Sequence, residues 1–181
     1  MSAEEQPERA TLAAEITGPL ARRYSTATVL YHHALAERLG LGPTDLKCLD
    51  LLHQRAPMTA SELAAITGLT SGATTGVVAR LEQAGLLGRE PHPHDRRKQV
   101  LRPTSKAVRE VQEVFDALPI NPDALIEGFD THQLAAIAEF LSRVTDYAYQ
   151  RSALLRAQTL SPRGRRATAA PPEPDQTKEQ R

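Results

Sequence analysis

Tryptophan is absent from this 181-residue chain, and the aromatics stop at three Phe and four Tyr. That scarcity argues against an aromatic-platform RNA reader, which stacks bases on Phe, Tyr or Trp. A lone cysteine, Cys48, excludes an intrachain disulfide and any zinc site built from several thiolates. No apolar run approaches the ~20 residues of a membrane helix, and the first ten residues, MSAEEQPERA, lack the basic-then-apolar order of a signal peptide. A cytoplasmic protein without a membrane partner is expected. An excess of either charge is also missing, with 22 Lys and Arg against 22 Asp and Glu. A formal charge of zero does not advertise nucleic-acid binding. What is present is an ordinary soluble composition, 40% hydrophobic and 24% charged, at about the length of one domain.

The zero conceals an uneven distribution. Residues 89–109 hold the cations Arg89, Arg96, Arg97, Lys98, Arg102, Lys106 and Arg109, while the acids there are Glu90 and Asp95. Residues 161–181 contain four prolines and no Leu, Ile, Val, Phe or Tyr. Such a segment cannot offset its own ordering entropy, so this tail, like residues 1–8, is predicted to be disordered.

Between these ends the hydrophobic period is helical almost throughout. A short helix spans Thr11 to Ile16. Leu20, Tyr24, Ala27, Tyr31, Leu35 and Leu39 then form one stripe, with Pro19 in the first turn and Gly40 as the stop. The next helix starts near Pro43, turns Leu46, Leu49 and Leu52 inward, and ends before Pro57. Thr59-Ala60-Ser61-Glu62 is a capping box opening a helix that closes at Gly68, and Thr70 caps another that runs to about Ala84. The period then changes. Leu86 to Glu90 and Gln99 to Arg102 read as two short strands around a polar tip, residues 91–98. Thr104 caps a helix with Val108, Val111, Phe115 and Leu118 on one face, and Pro119, Asn121 and Pro122 interrupt it. A second capping box, Asp130 to Gln133, opens the last helix. Its Leu134, Ile137, Leu141, Val144, Ala148 and Leu155 make a coiled-coil-like seam that needs a partner.

A short helix, a tight turn at Gly68-Leu69 and a polar-faced helix make a helix-turn-helix. On the second of these helices Ala73, Val77 and Leu81 share the inward face, and Ser71, Thr74 and Thr75 face out. No acid occurs from Leu63 to Leu81. Small hydroxyls near a helix N-terminus, without carboxylates, suit the polyanionic major groove. The basic hairpin that follows converts the motif into a winged one. Its tip can lay Arg97 or Arg96 into the narrow, electronegative minor groove, with Lys98 near a phosphate. Asp95 can hold a neighbouring arginine by a charge-assisted hydrogen bond.

At this point the run LTSGATTGVVARLEQAGLLGREPHPHDRRKQVLRPTSKA resembles the MarR family of bacterial winged-helix regulators. The hallmarks fall on Thr75, Arg80-Leu81-Glu82, Gly85-Leu86, Asp95-Arg96-Arg97 and Thr104. The upstream LGLGPTDLKCLDLL is similar to the family's second helix. The resemblance covers roughly residues 12–156. It implies a mainly α fold with a small β-wing. The helix-turn-helix falls at 59–84, the wing at 86–103, and the dimerisation helices at 11–39 and 104–156. It also implies an obligate homodimer that binds a pseudo-palindromic operator, usually as a repressor released by a small-molecule effector. DNA contacts are expected from Ser61, Thr70, Ser71, Ala73, Thr74 and Thr75. Arg80 would touch a phosphate or brace the fold, and the wing would contribute His94, Asp95, Arg96, Arg97 and Lys98. The resemblance places Arg97 as the minor-groove arginine, with Asp95 bracing its guanidinium. Family effector pockets lie between dimerisation helices and winged domain, which points to Tyr24, Tyr31, His32 and His53. Two features depart from the family pattern: Pro119 and Pro122 break a helix that is usually continuous, and the wing carries Pro91 and Pro93 with two histidines.

Other chemistry finds little support. His92, His94 and Asp95 fit no zinc template, and Cys48, between Leu46 and Leu49, reads as a buried structural thiol. There is no Gly-rich phosphate loop, nucleophile elbow or Ser/His/Asp arrangement, so neither a cofactor nor an enzyme is expected. The competing class is a winged helix that docks on protein and has lost DNA affinity. The neutral net charge favours it, and the clustered Arg96, Arg97 and Lys98 oppose it.

Overall fold

The computed structural model describes residues 5–160. These form α1 (Glu5–Glu15), a π-helical turn (Ile16–Leu20), α2 (Ala21–Arg38), α3 (Pro43–Arg55), α4 (Ala60–Thr67), α5 (Ser71–Gln83), β1 (Leu87–His92), β2 (Asp95–Pro103), α6 (Ser105–Asp116), a 3-10 turn (Pro122–Leu125) and α7 (Thr131–Leu160). The chain divides into two compact units, the first ending at Pro119 and the second beginning at Ile120.

Two departures from the sequence pattern lie at the start. Residues 5–8 belong to α1 rather than to a disordered end; the remaining predicted disorder, 1–4 and 161–181, lies outside the described residues. Glu8 near the start of the helix favours its dipole, and Pro7 needs no intrahelical N–H partner so early. Nor does Pro19 open a new helix. It sits inside the π turn, where the Ala21 N–H reaches the Ile16 carbonyl, five residues back. The wider turn absorbs the missing N–H and the ring's clash with the preceding carbonyl, so α1 runs into α2 without a break.

The winged part forms as its local signals dictate. Thr59 Oγ1 accepts from the Glu62 N–H at 3.2 Å, and Glu62 Oε2 accepts from the Thr59 N–H at 2.7 Å, completing the capping box. The bonds from Thr59 hold the Glu62 carboxyl below its usual range. Gly68, at φ 75°, supplies the left-handed turn that no side-chain-bearing residue adopts readily, and α5 starts two residues later on Thr70. The end of α5 is closed from outside the helix. Lys106 Nζ donates to the Ala84 carbonyl at 2.7 Å and Thr104 Oγ1 donates to the Gly85 carbonyl at 2.8 Å.

The main core packs Cys48, Leu49 and Leu52 of α3 against Leu63 of α4 and Val77, Val78 and Leu81 of α5. Leu86, Leu87, Leu101 and Ala107 close it from the wing base and α6. Met58 ties the strand base to the chain before α4 by exchanging backbone hydrogen bonds with Leu101. A smaller cluster, Leu35, Ala36 and Leu46 with Val114 packed against it, joins the last turn of α2 to α3. Cys48 is buried, and burial pushes its thiol up to about 11, which suits a structural residue rather than a reactive one.

Much of the predicted apolar surface stays uncovered in the single chain. Only Leu35 of the stripe on α2 is buried, whereas Leu20, Tyr24 and Tyr31 are exposed. On α6, Ala107 is buried, and Val108 and Phe115 are partly exposed, as is Leu118 just beyond its end. In the second unit, Asp130 and Gln133 cap α7 reciprocally at 2.8 and 2.9 Å, and Ile137, Leu141, Val144 and Leu155 of its seam are exposed.

Candidate nucleic-acid interface

The exposed face of α5 is shifted by one position from the predicted one. Thr74, Val77, Val78 and Leu81 pack inward, and Ala73 is exposed with Ser71 and Thr75. Thr74, only 2% exposed, is therefore removed from the contact set. Its hydroxyl can be buried because it donates to the Thr70 carbonyl at 3.0 Å, leaving no unpaired polar hydrogen in the core. Thr75 Oγ1 likewise donates to the Ser71 carbonyl at 2.9 Å, which leaves its oxygen available as an acceptor on the exposed face. Ser61 of α4 and Thr70, Ser71, Ala73 and Thr75 are all exposed, and α5 carries no carboxylate from Ser71 to Arg80.

Arg80 is held rather than free. Its Nε donates to Asp45 Oδ2 at 2.8 Å and its Nη2 to Asp45 Oδ1 at 2.6 Å, a bidentate bridge from α5 to the first turn of α3. Asp45 is absent from the predicted site. Its signal is phase: it lies on the same helical stripe as Cys48, Leu49 and Leu52, and a carboxylate on a buried stripe requires a cation.

The wing is longer and its turn tighter than predicted. β1 and β2 pair from Leu87↔Pro103 to His92↔Asp95, so only Pro93 and His94 make the turn. Between Pro91↔Gln99 and His92↔Asp95 the register jumps, and Arg96, Arg97 and Lys98 bulge from the ladder. Asp95 does not brace the Arg97 guanidinium. It accepts from the Arg97 backbone N–H at 3.1 Å, and its other oxygen lies 3.9 Å from Lys98 Nζ. It therefore fixes the backbone that carries Arg97. His92 and His94 meet edge to face at 6.1 Å, with the His94 N–H donating to His92 Nδ1. Among the described residues no group of three or more His, Cys, Asp or Glu is placed to hold a metal ion.

The neutral net charge is resolved by position. Towards the wing base the cations are answered: Arg89 pairs with Glu82 at 2.6 Å, Arg102 with Glu90 at 3.1 Å, and Lys106 with Glu110 at 3.5 Å. The Glu82 carboxyl is held below its usual range by Arg89. At the tip, the exposed side chains of Arg96 and Arg97 have no ion-pair partner among the described residues. Positive charge is thus available at the tip and spent on structure below it.

A cavity of about 330 Å³ lies between α3 and α6, with an apolar wall from Leu49, Val108, Val111 and Phe115 and a polar side from Asp50, His53 and Gln112. Of the four predicted effector residues, only His53 lines it. The Tyr31 and His32 rings on α2 lie 5.2 Å apart and tilted by 53°, and His32 Nδ1 lies 2.7 Å from Lys47 Nζ. Burial and the Lys47 charge lower the His32 pKa. Tyr24 is exposed and does not line this cavity. Burial raises the Asp50 carboxyl, against the opposing pull of Lys47, His32 and His53.

A hydroxyl-bearing, acid-free helix face beside a hairpin with its free arginines at the tip is what a winged helix-turn-helix protein presents to duplex DNA. Residues 41–98 match the model of the MarR family. The HTH-type transcriptional regulator YcgE of Bacillus subtilis is 40% identical over 127 residues, covering 70% of this chain and 82% of that one. The HTH-type transcriptional regulator MhqR of the same organism is 30% identical over 105 residues, 58% and 72% of the two chains. The fold is shared with a mutant of MepR from a multidrug-resistant S. aureus clinical isolate, at a TM-score of 0.59 and 17% identity, covering 73% of this chain and 96% of that one. It is shared too with the regulator Tm0710 of Thermotoga maritima, at 0.54 and 20% identity, covering 76% and 96%. The chain belongs to the MarR family of helix-turn-helix transcriptional regulators.

Proposed function

We propose that this regulator acts as a cytoplasmic homodimeric repressor on a pseudo-palindromic operator and is released by a small-molecule effector. The observation that carries the DNA reading is the pair of unpaired arginines, Arg96 and Arg97, bulged from the wing beside the carboxylate-free face of α5. Dimerisation through helices at 11–39 and 104–156 is supported by the apolar residues those helices leave exposed, since large apolar patches mark interfaces. The cavity between α3 and α6, apolar with a few polar groups at its side, supports the effector. Residues 12–156 then form the working regulator. Ser61, Thr70, Ser71, Ala73 and Thr75 face the major groove, and His94 to Lys98 face the minor groove and its phosphates.

The test concerns Arg97. Minor-groove reading depends on groove width, which A·T-rich sequence narrows. Arg97→Ala is expected to cost about 1–3 kcal/mol of binding, most on duplexes with A·T-rich flanks. Asp95→Ala is expected to reproduce part of that loss although it removes a negative charge, because it releases the Arg97 backbone. Fluorescence anisotropy on A·T-flanked and G·C-flanked duplexes measures both. Tighter binding of Asp95→Ala to both duplexes contradicts the reading and reduces the wing to a charged hairpin.

A further inference from the structure

Asp45 is the one buried carboxylate among the described residues, and at 4% exposure it cannot itself reach a ligand. Its surroundings hold it still. A Cβ on Gly42 would stand 3.3 Å from its Oδ2, so the chain entering α3 lies close against it. The next residue, Leu46, packs on Leu35 and Ala36 at the end of α2. Both carboxylate oxygens are used by Arg80, and they use only one edge of the guanidinium, Nε and Nη2. The remaining nitrogen, Nη1, lies over Gly76, where a Cβ would stand 3.4 Å from it. The Arg80 side chain stays 58% exposed, one turn beyond Gly76 and two beyond the exposed Ala73. An arginine pinned along one edge has lost most of its rotamer freedom before binding, and it keeps donors free on the other edge.

We propose that Asp45 is a positioning residue for DNA binding: by holding Nε and Nη2 of Arg80 it aims Nη1 at a backbone phosphate beside α5. The inference rests on the DNA reading above. It assigns to a buried carboxylate, one residue before a contact with α2, control over a surface contact on α5. Because a phosphate carries no sequence information, Arg80 strengthens binding to every duplex alike.

The experiment compares the full chain with Asp45→Asn and Arg80→Lys on a duplex selected from a random pool and on its shuffled counterpart, by anisotropy across a salt series. Circular dichroism defines the temperature at which each variant is folded. Both variants are expected to bind both duplexes more weakly by the same factor, roughly tenfold, the scale of one charge-assisted hydrogen bond. The slope of log affinity against log salt is expected to flatten by about one. Arg80→Lys keeps the charge, but its single ammonium is taken by Asp45 and leaves no second edge. A purely structural bridge lowers stability and leaves the slope unchanged. A folded Asp45→Asn with the original affinity and slope overturns the proposal. Where Asp45→Asn fails to fold, Arg80→Lys decides alone, and an unchanged slope there overturns it equally. A full chain with no salt-dependent DNA binding defeats the DNA reading itself, before any variant is compared.

Discussion

Leu141→Glu combined with Val144→Glu is expected to turn a dimer into a monomer that is largely unfolded and no longer binds DNA. α7 is 30 residues long, and its seam leaves Ile137 36%, Leu141 49% and Val144 39% exposed in the single chain. A helix of this length draws most of its stability from packing its apolar face rather than from propensity. The stripe on α2 and the outer face of α6 are equally uncovered, with Tyr24, Tyr31 and Phe115 among them. Contiguous exposed apolar faces of this kind mark interaction surfaces. Two carboxylates placed in the middle of a seam that the proposed dimer buries would each carry a desolvation penalty of several kcal/mol. In the proposed homodimer folding and association then fail together, because a chain that folds only on dimerising has no stable monomer to fall back on. Sedimentation equilibrium at micromolar concentration measures this. A stable, folded monomer of the unaltered chain contradicts the dimer.

Leu81→Ala is expected to cost about 2–5 kcal/mol of stability while leaving the DNA-facing side of α5 chemically unchanged. Leu81 is 0% exposed and sits where α5 meets α3, α4 and the wing base, so its loss leaves a cavity that rigid neighbours cannot close. Against a total of about 5–15 kcal/mol this is a large fraction. Urea denaturation at one fixed protein concentration reads the change, and anisotropy at low temperature reads the binding that survives in the folded fraction. A loss below about 1 kcal/mol contradicts the core described above.

The division between what the sequence shows and what it hides follows the range of the interactions. The capping box at Thr59 and Glu62, its counterpart at Asp130 and Gln133, and the stops at Gly68 and Gly85 are each complete within a few residues, so they are legible from composition and spacing alone. Pro19 misleads because a proline in the first turn of a new helix and one inside a π turn look alike in sequence. The difference is whether the helix before it continues. On α5, hydroxyls suggest an outward face, but Thr74 satisfies its own hydroxyl on the Thr70 carbonyl and goes inward, while Ala73 loses little by being exposed. Pro91 argues against extending the first strand, yet it pairs with Gln99, and the ladder resumes at His92 and Asp95 past the bulge at Arg96 to Lys98. The bridge from Arg80 to Asp45 spans 35 residues of sequence and is set entirely by how α3 and α5 pack. Within the wing, the identity of the basic residues was readable, and their division into paired at the base and free at the tip was not.

The central claim is that this chain binds duplex DNA by sequence, and the salt dependence of that binding tests it most directly. The measurement is the affinity of the full chain for a duplex selected from a random pool and for its shuffled counterpart, from low to high salt. Log affinity is expected to fall linearly with log salt, at about −0.9 per phosphate contacted, and the selected duplex is expected to bind at least ~10³-fold tighter than the shuffled one. Binding that is flat in salt, or equal for the two duplexes, contradicts the claim.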